Sequence, residues 1–521
     1  MLAETEPSGK KNPVEAYATV PPDDPFAVSK AMFAALAGEL AGPAAAGLTA
    51  FELEELVDEE SRKAVRQLVQ DHYDLRALRE EQQARKHPSP VTGTDGITRT
   101  RLETGHGRLL ATLFGTVTVT RCAWRKPGAP DCLPADAALS LPAGRHSHTL
   151  AKLSCLEAAR GSFDGAHDAI TRRCGPVIGK RTIEECVVSA AADITAFYAS
   201  RIPEPCTPSA LLVLSADGKG IVMRSGGLRA ATAKAAAKLG KMRTRLTAGE
   251  KPNRKRMAAL VTVYDAEPAP RRPHDVIAPP GGRAGARPLR PGPKALARWL
   301  AGSVRKDPAD MIAAAFDEAG ARDPGHQRTW VILVDGAEHQ LALIRAEADR
   351  RGVTIHVIID IIHVLEYIWG AGWSLHKAGD PAAEDWVAAR ALTVLAGDSD
   401  RAAAAITAEA DAAGLEGSRR SGADACVRYL ENKHEFLRYD QALDAGWPIA
   451  TGVIEGACRH LIADRLNLGG ARWGLDGAEA ILTLRAVISN GDFEEYWRFH
   501  LAREHQRLYP GINQGQYTLG T

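Results

Sequence analysis

No CxxC pair occurs among the eight cysteines of this 521-residue chain, so neither a zinc ribbon nor a disulfide framework is expected, and buried free thiols are. The N-terminus has no apolar core followed by a small-residue cleavage site. Secretion is therefore not expected and a cytoplasmic location is. The most apolar long run, from Val353 to Leu375, contains His356, Asp360, His363 and Glu366, each expensive at the centre of a bilayer. It reads as a buried strand followed by a helix, and no membrane partner is expected. The string GPVIGKRT imitates a phosphate loop, but Walker A needs four residues between its glycines and a Ser or Thr directly after the Lys. Three intervene here and Arg181 follows Lys180, so no nucleotide cofactor is expected. Bulk charge is also missing: 65 basic residues face 64 acidic ones, and the sum says nothing of a polyanionic partner.

The distribution of charge says more. Between Lys219 and Lys294 lie 18 Lys and Arg against four acids, Glu250, Asp265, Glu267 and Asp275. A positive lobe of this kind suits a polyanionic substrate, and a solvated basic loop is the competing reading. With 45% hydrophobic and 25% charged residues, the chain has an ordinary globular balance and the length for two or more domains.

The first 25 or so residues are Pro-rich and charged without apolar periodicity, and read as a mobile tail. Residues 51–86 form a strongly charged amphipathic helix, exposed or packed on a partner. RLLATLFGTVTVTRCAWR alternates as a hairpin does, and a Pro-rich linker follows. Residues 147–198 give three helices, the first two capped by Ser147 and Ser162. Lys180 and Arg181 open the last of them, as in a helix-turn-helix that reads the major groove, although any three-helix unit gives the same pattern. From 206 the pattern turns to strands. SALLVLSADG is the first, GIVMRS its hairpin return and MAALVTVYDA the third; PKALARWLAGSV and MIAAAFDEAGA read as helices, then WVILVDG and VTIHVIID as strands, each followed by a helix. The order β-β-β-α-β-α-β-α is a mixed sheet with helices on its faces, an α/β architecture. The expected division is a tail and charged helices over 1–104, hairpin and linker over 105–146, a helix-turn-helix-like DNA-binding domain over 147–205, and the first part of the core over 206–376. An all-α insertion over 377–445, the rest of the core over 446–490 and a C-terminal helix and tail over 491–521 complete it.

Three short strings place carboxylates where a strand should end or a helix begin: Asp217 in LLVLSADGKG, Asp335 in WVILVDGAEHQ and Glu455 in GVIEGACRHL. More than a hundred residues separate each from the next, so only tertiary folding could unite them. Gathered carboxylates repel, and divalent cations relieve that repulsion. Oxygen donors suit Mg²⁺, and two ions about 3.5–4 Å apart clamp the attacking and leaving oxygens of a phosphoryl displacement. Taken singly, each Asp-Gly is ordinary turn chemistry. Asp360 and His363 add two polar groups in an apolar neighbourhood, able to bond to each other or to orient the ligands; a satisfied core histidine is the alternative. Lys219, Arg254, Lys255, Arg256 and Arg459 are candidate phosphate contacts. In GGARWG, Arg472 could neutralise a phosphate and Trp473 could stack on an unpaired base, against a core Trp beside a structural Arg.

The strings SADGKGIVMR, KRMAALVTVYD, VDGAEHQLALI, IIDIIHVLEYIW and the run from WPIATGVIEGACRHL to EYWRFHLAREHQR resemble the ISKra-type transposases of bacterial insertion sequences, distant relatives of Mutator-like transposases. The likeness spans roughly residues 105–505. It implies an RNase H-like core of the DDE type, with Asp217, Asp335 and Glu455 holding two Mg²⁺ or Mn²⁺ ions, and Asp360 and His363 on an Asp-x-x-His element. It further implies cleavage and joining of double-stranded DNA, a homo-oligomer with a dimer favoured, and a nucleoid-associated cytoplasmic location. An RNase H-like nuclease without strand transfer and a non-catalytic DNA-binding descendant are the alternatives.

Overall fold

The structure, a computed structural model, describes residues 24–86, 88–203, 207, 209–238, 254–282, 288–377 and 379–510. Contacts divide the chain into two units, one running up to Phe197 and resuming at Glu494, the other spanning Tyr198–Phe493. The expected tail over the first 23 residues lies outside the described residues, as do residues 239–253 and 283–287 of the basic segment.

In the first unit, the charged helix Ala50–Lys86 packs along the hairpin Arg101–Thr112/Gly115–Arg125. Its Val69 and Tyr73 cover Leu110, Val117, Val119 and Leu141, and Gln70 brackets the backbone of Thr118, donating to its carbonyl at 2.9 Å and accepting from its N–H at 2.8 Å. Ser147 and Ser162 cap helices His148–Arg160 and Phe163–Cys174 by accepting from Leu150 and Gly165 N–H, which satisfies otherwise orphaned donors. After a break at Gly175–Gly179, helix Lys180–Ala190 buries Ile183, Val187 and Ala190. The expected continuation to Phe197 is interrupted at Ala191–Asp193 and resumes as Ile194–Ser200. Asp193 at that break accepts from His500 at 2.7 Å and from Arg507 at 2.7 and 2.9 Å. These bonds fix helix Phe493–Leu508 to this unit, so the C-terminal helix is no separate appendage.

The second unit is α/β, built on a five-stranded mixed sheet. Its elements are β1 (Leu211–Val222), β2 (Lys255–Ala266), β3 (Leu296–Ser303), α1 (Pro308–Arg322), β4 (Trp330–Val334), α2 (Glu338–Arg351), β5 (Ile355–Ile359) and α3 (Ile361–Leu375). The spatial order is β3-β2-β1-β4-β5. β1, β2 and β3 pair antiparallel, while β4 and β5 run parallel to β1. Helices Pro381–Leu395, Ser399–Ala412, Ser421–Lys433 and Tyr439–Asp444 follow α3, and α4 (Gly452–Ala457) and α5 (Leu475–Asn490) come after them.

Two expectations fail here and cancel in the count of elements. The Asp-Gly at 217–218 is no turn, because β1 runs straight through it and pairs with β2 from Leu211↔Ala266 to Val222↔Lys255. Gly220 lies opposite Met257 in that ladder, and a Cβ there would meet only the side chains of Lys255 and Met257. The segment PKALARWLAGSV, read as a helix, is the edge strand β3. Its local helix formers lose to tertiary pairing with β2, and α5 covers the edge. Asn490 both donates to and accepts from Leu300 backbone at 3.0 and 2.9 Å. Glu479 accepts from Ser303 Oγ at 2.7 Å and from Val304 N–H at 2.6 Å. Covering an edge in this way removes a template for unwanted pairing.

Candidate functional site

The parallel half of the sheet sets the site. Ser215 on β1 is level with Leu333 on β4, the last pair of that ladder, and Asp217 and Asp335 each follow two residues further on, Asp217 still within β1 and Asp335 just past the end of β4. Val334 pairs with Ile359, which puts Asp360 level with Asp335 on the next strand over. Three carboxylate-bearing positions thus line the carboxyl ends of neighbouring parallel strands, the edge at which open α/β sheets bind ligands. Asp217 lies within its strand, not at its end as expected, and only its two partners stand at true termini.

Each acid is held differently. Asp335 is exposed and accepts at Oδ1 from Ala337 N–H, 2.9 Å away. Gly336 after it has φ +92°, and a Cβ there would crowd Ile359 Cδ1 at 3.0 Å and the Tyr429 hydroxyl at 3.1 Å, so glycine is required. Tyr429 donates to the Asp335 carbonyl at 3.3 Å and stacks on Tyr367, with centroids 4.0 Å apart. Asp360 is 2% exposed. Its Oδ1 caps α3 by accepting from Ile362 N–H at 2.9 Å, and its Oδ2 accepts from the Thr451 hydroxyl. His363 does not bond to Asp360. Its Nδ1 pairs with Glu366 at 3.2 Å, and its ring meets Tyr367 and Tyr429 edge-on.

Glu455 arrives on α4, which packs across β1 and β2. Thr451, one turn earlier, lies 3.2 Å from Glu455 Oε1 and so links that carboxyl to Asp360. Partial desolvation, then the charges of Asp360 and Asp217, raise the Glu455 pKa above its ordinary value. Glu455 therefore lies within electrostatic reach of both other carboxylates. Cys458, one turn after Glu455 and 4% exposed, donates its thiol to Asp217 Oδ2 at 3.0 Å. Burial and then the Asp217 charge push that thiol well up, so it stays protonated. From Cys458 to Ala463 the helix widens to a π-helix, a feature frequent at functional sites. The loosened carbonyls find partners: Gly456 is bonded by the His460 ring, and His460 and Leu461 accept from Arg485.

The fold brings Asp217 and Asp360 within electrostatic reach of Glu455, and Asp335 follows the strand that lies between those of Asp217 and Asp360. Among the described residues, no three His, Cys, Asp or Glu side chains are placed to hold one ion as they stand. The donor chemistry nonetheless fits a hard divalent cation, since all are carboxylate oxygens and Glu455 carries the repulsion that such a charge relieves.

The expected DNA contacts divide. Lys219 lies two residues from Asp217, on the same face of β1, and its charge reaches Cys458. Lys255, Arg459 and Arg472 are exposed and Arg254 half-buried. Lys180 and Arg181 do open their helix, exposed, paired with Asp164 at 2.6 Å and Glu185 at 3.2 Å. Two assignments are corrected. Arg256 is committed to carbonyls, donating to Val304 at 2.6 Å and Gly227 at 3.3 Å. Trp473 is 7% exposed; its Nε1 donates to Leu466 O at 2.9 Å and Arg465 covers its ring at 4.8 Å. With its ring buried and covered, it is not presented to a base, and its backbone pairs beside Met223 just past β1, with Trp473 N–H on Val222 O and Arg224 N–H on Trp473 O.

Sequence reasoning missed Thr451, Cys458 and Gln340, which donates to Ala216 O at 2.8 Å and ties α2 to β1 beside Asp217. Helical spacing from Glu455, four residues back and three forward, was the available signal for the first two. Among the described residues no helix is long and apolar enough to cross a membrane. No family model matches this chain, and no curated protein matches it.

Proposed function

We propose that the protein is a DNA transposase of the DDE type, cutting the ends of an insertion sequence and joining the freed 3′ hydroxyls to target DNA. The observation that carries the reading is the gathering of Asp217, Asp360 and Glu455 from distant parts of the chain at one sheet: Cys458, one turn after Glu455, donates to Asp217, and Thr451, one turn before it, donates to Asp360. The strand order β3-β2-β1-β4-β5, antiparallel then parallel, supports an RNase H-like core, and the resemblance of the motif strings to ISKra-type transposases supplies the substrate class.

In this reading Asp217, Asp335 and Glu455 hold two Mg²⁺ or Mn²⁺ ions. When bound, such ions lower the cost of negative charge on the attacking and leaving oxygens of an in-line displacement at phosphorus. Asp360 accepts the single Thr451 proton and so fixes the Thr451 oxygen 3.2 Å from Glu455 Oε1, a support of the kind that stands behind metal ligands. Lys219 stands where the scissile phosphate would need a positive neighbour, and Arg459 and Arg472 offer further phosphate contacts. Cutting two ends calls for two copies, so a dimer acting in the cytoplasm at the nucleoid fits the chemistry.

The test is incubation of purified protein with a labelled element end and Mg²⁺ or Mn²⁺. Wild-type protein is expected to cleave and to join, and Asp217→Ala, Asp335→Ala and Glu455→Gln to do neither. Cleavage without joining would replace the proposal with a nuclease; binding without either step would replace it with a non-catalytic DNA-binding protein.

A further inference from the structure

We propose that Cys458 is a positioning residue for Asp217, a role that rests on the two-cation reading above. Asp217 is held at both oxygens: Oδ1 accepts from Gly218 N–H at 2.6 Å and Oδ2 from the Cys458 thiol at 3.0 Å. Each carboxylate oxygen has two lone pairs, so one on each oxygen stays available to an ion while the rotamer is fixed. A thiol suits this place for two reasons. It donates without carrying charge, so it steadies Asp217 without neutralising the negative charge that attracts the cation, as a Lys or Arg would. It also tolerates burial as a small hydrophobe, here under a helix that packs on β1.

The helix adds a second element to the argument. Glu455 and Cys458 are three residues apart, so they lie on one face of the helix, and that face meets the Asp217 side of β1. The π-helix begins at Cys458, and its released carbonyls are tied down by His460 and Arg485. One rigid turn therefore delivers a ligand, Glu455, and the group that aims the opposite ligand, Asp217.

The experiment measures binding of Mn²⁺ alone to the intact protein by electron paramagnetic resonance, with cleavage measured alongside at saturating Mn²⁺. Cys458→Ala is expected to weaken Mn²⁺ binding about 10–100-fold, the usual cost of losing a group that orients a metal ligand, while the cleavage rate at saturating Mn²⁺ falls much less. Cys458→Ser, which keeps a neutral donor, is expected to restore affinity to within a few-fold of wild type. Wild-type Mn²⁺ affinity in Cys458→Ala, or equal losses in Ala and Ser, would overturn the positioning role and leave the two-cation reading standing. A wild-type protein that binds no Mn²⁺ would overturn both.

Discussion

Trp473 and Arg472 are neighbours in a glycine-rich run, yet the fold gives them opposite fates. Trp473→Ala is expected to cost about 3–5 kcal/mol of stability, as large aromatic truncations in a core do, measured by denaturant unfolding. Arg472→Ala should stay within about 0.5 kcal/mol, as exposed substitutions do, and weaken binding to an element end. Equal stability of the two variants would contradict the burial of Trp473. Residue type alone could not separate them, because an aromatic beside an arginine reads equally well as a base-stacking pair or as a core indole under a guanidinium. The carboxylates were more legible. Asp217, Asp335 and Asp360 each follow an apolar run, and the last two stand just past the ends of β4 and β5, while Asp217 lies inside β1. What the strings did not reveal is that Asp360 faces Thr451 and Glu455 and not His363, since that contact depends on how the Glu455 helix crosses the sheet.

Among elements, β4, β5 and, as MAALVTVYDA, β2 were readable, while β1 was read short and β3 was not read as a strand. WVILV and IHVII are short apolar runs followed by helices, and a parallel strand buried on both faces reads this way. β1 was cut in two by its own glycines, which suggested a turn where the backbone passes close to β2. β3 was taken for a helix because Ala, Leu, Arg and Trp favour one locally, and only pairing with β2 and cover from α5 make it a strand. Its entry is strained: Ala297 has φ +45°, a left-handed conformation that costs a non-glycine residue roughly 1–2 kcal/mol. Ala297→Gly should therefore raise stability by about 0.5–1 kcal/mol after the flexibility of glycine in the unfolded chain is counted. An unchanged or lower melting temperature would show that the bulge facing Asp265 holds Ala297 without strain.

At the scale of the molecule, acid sensitivity follows from buried imidazoles in both units. Burial first of all lowers the pKa values of His146, His148 and His505 in one unit and of His356 and His460 in the other. A histidine lowered below its unfolded value of 6.5 takes up its proton more readily when unfolded. Stability from these groups is thus complete above about pH 6.5 and declines as pH falls through the lowered folded values. Thermal melting at pH 7.5 and 5.5 should show the drop, and identical melting temperatures would remove it. Asp193 acts in a separate, more acid window: burial opposes it, but Arg507 and His500 keep it below 3.8, so its contribution persists until pH falls beneath that value. The clamp of Asn490 and Glu479 on β3 has an outcome in time. The ribosome delivers these two side chains near the end of their unit, long after the strand they hold, so a chain stopped anywhere before them carries an open sheet margin.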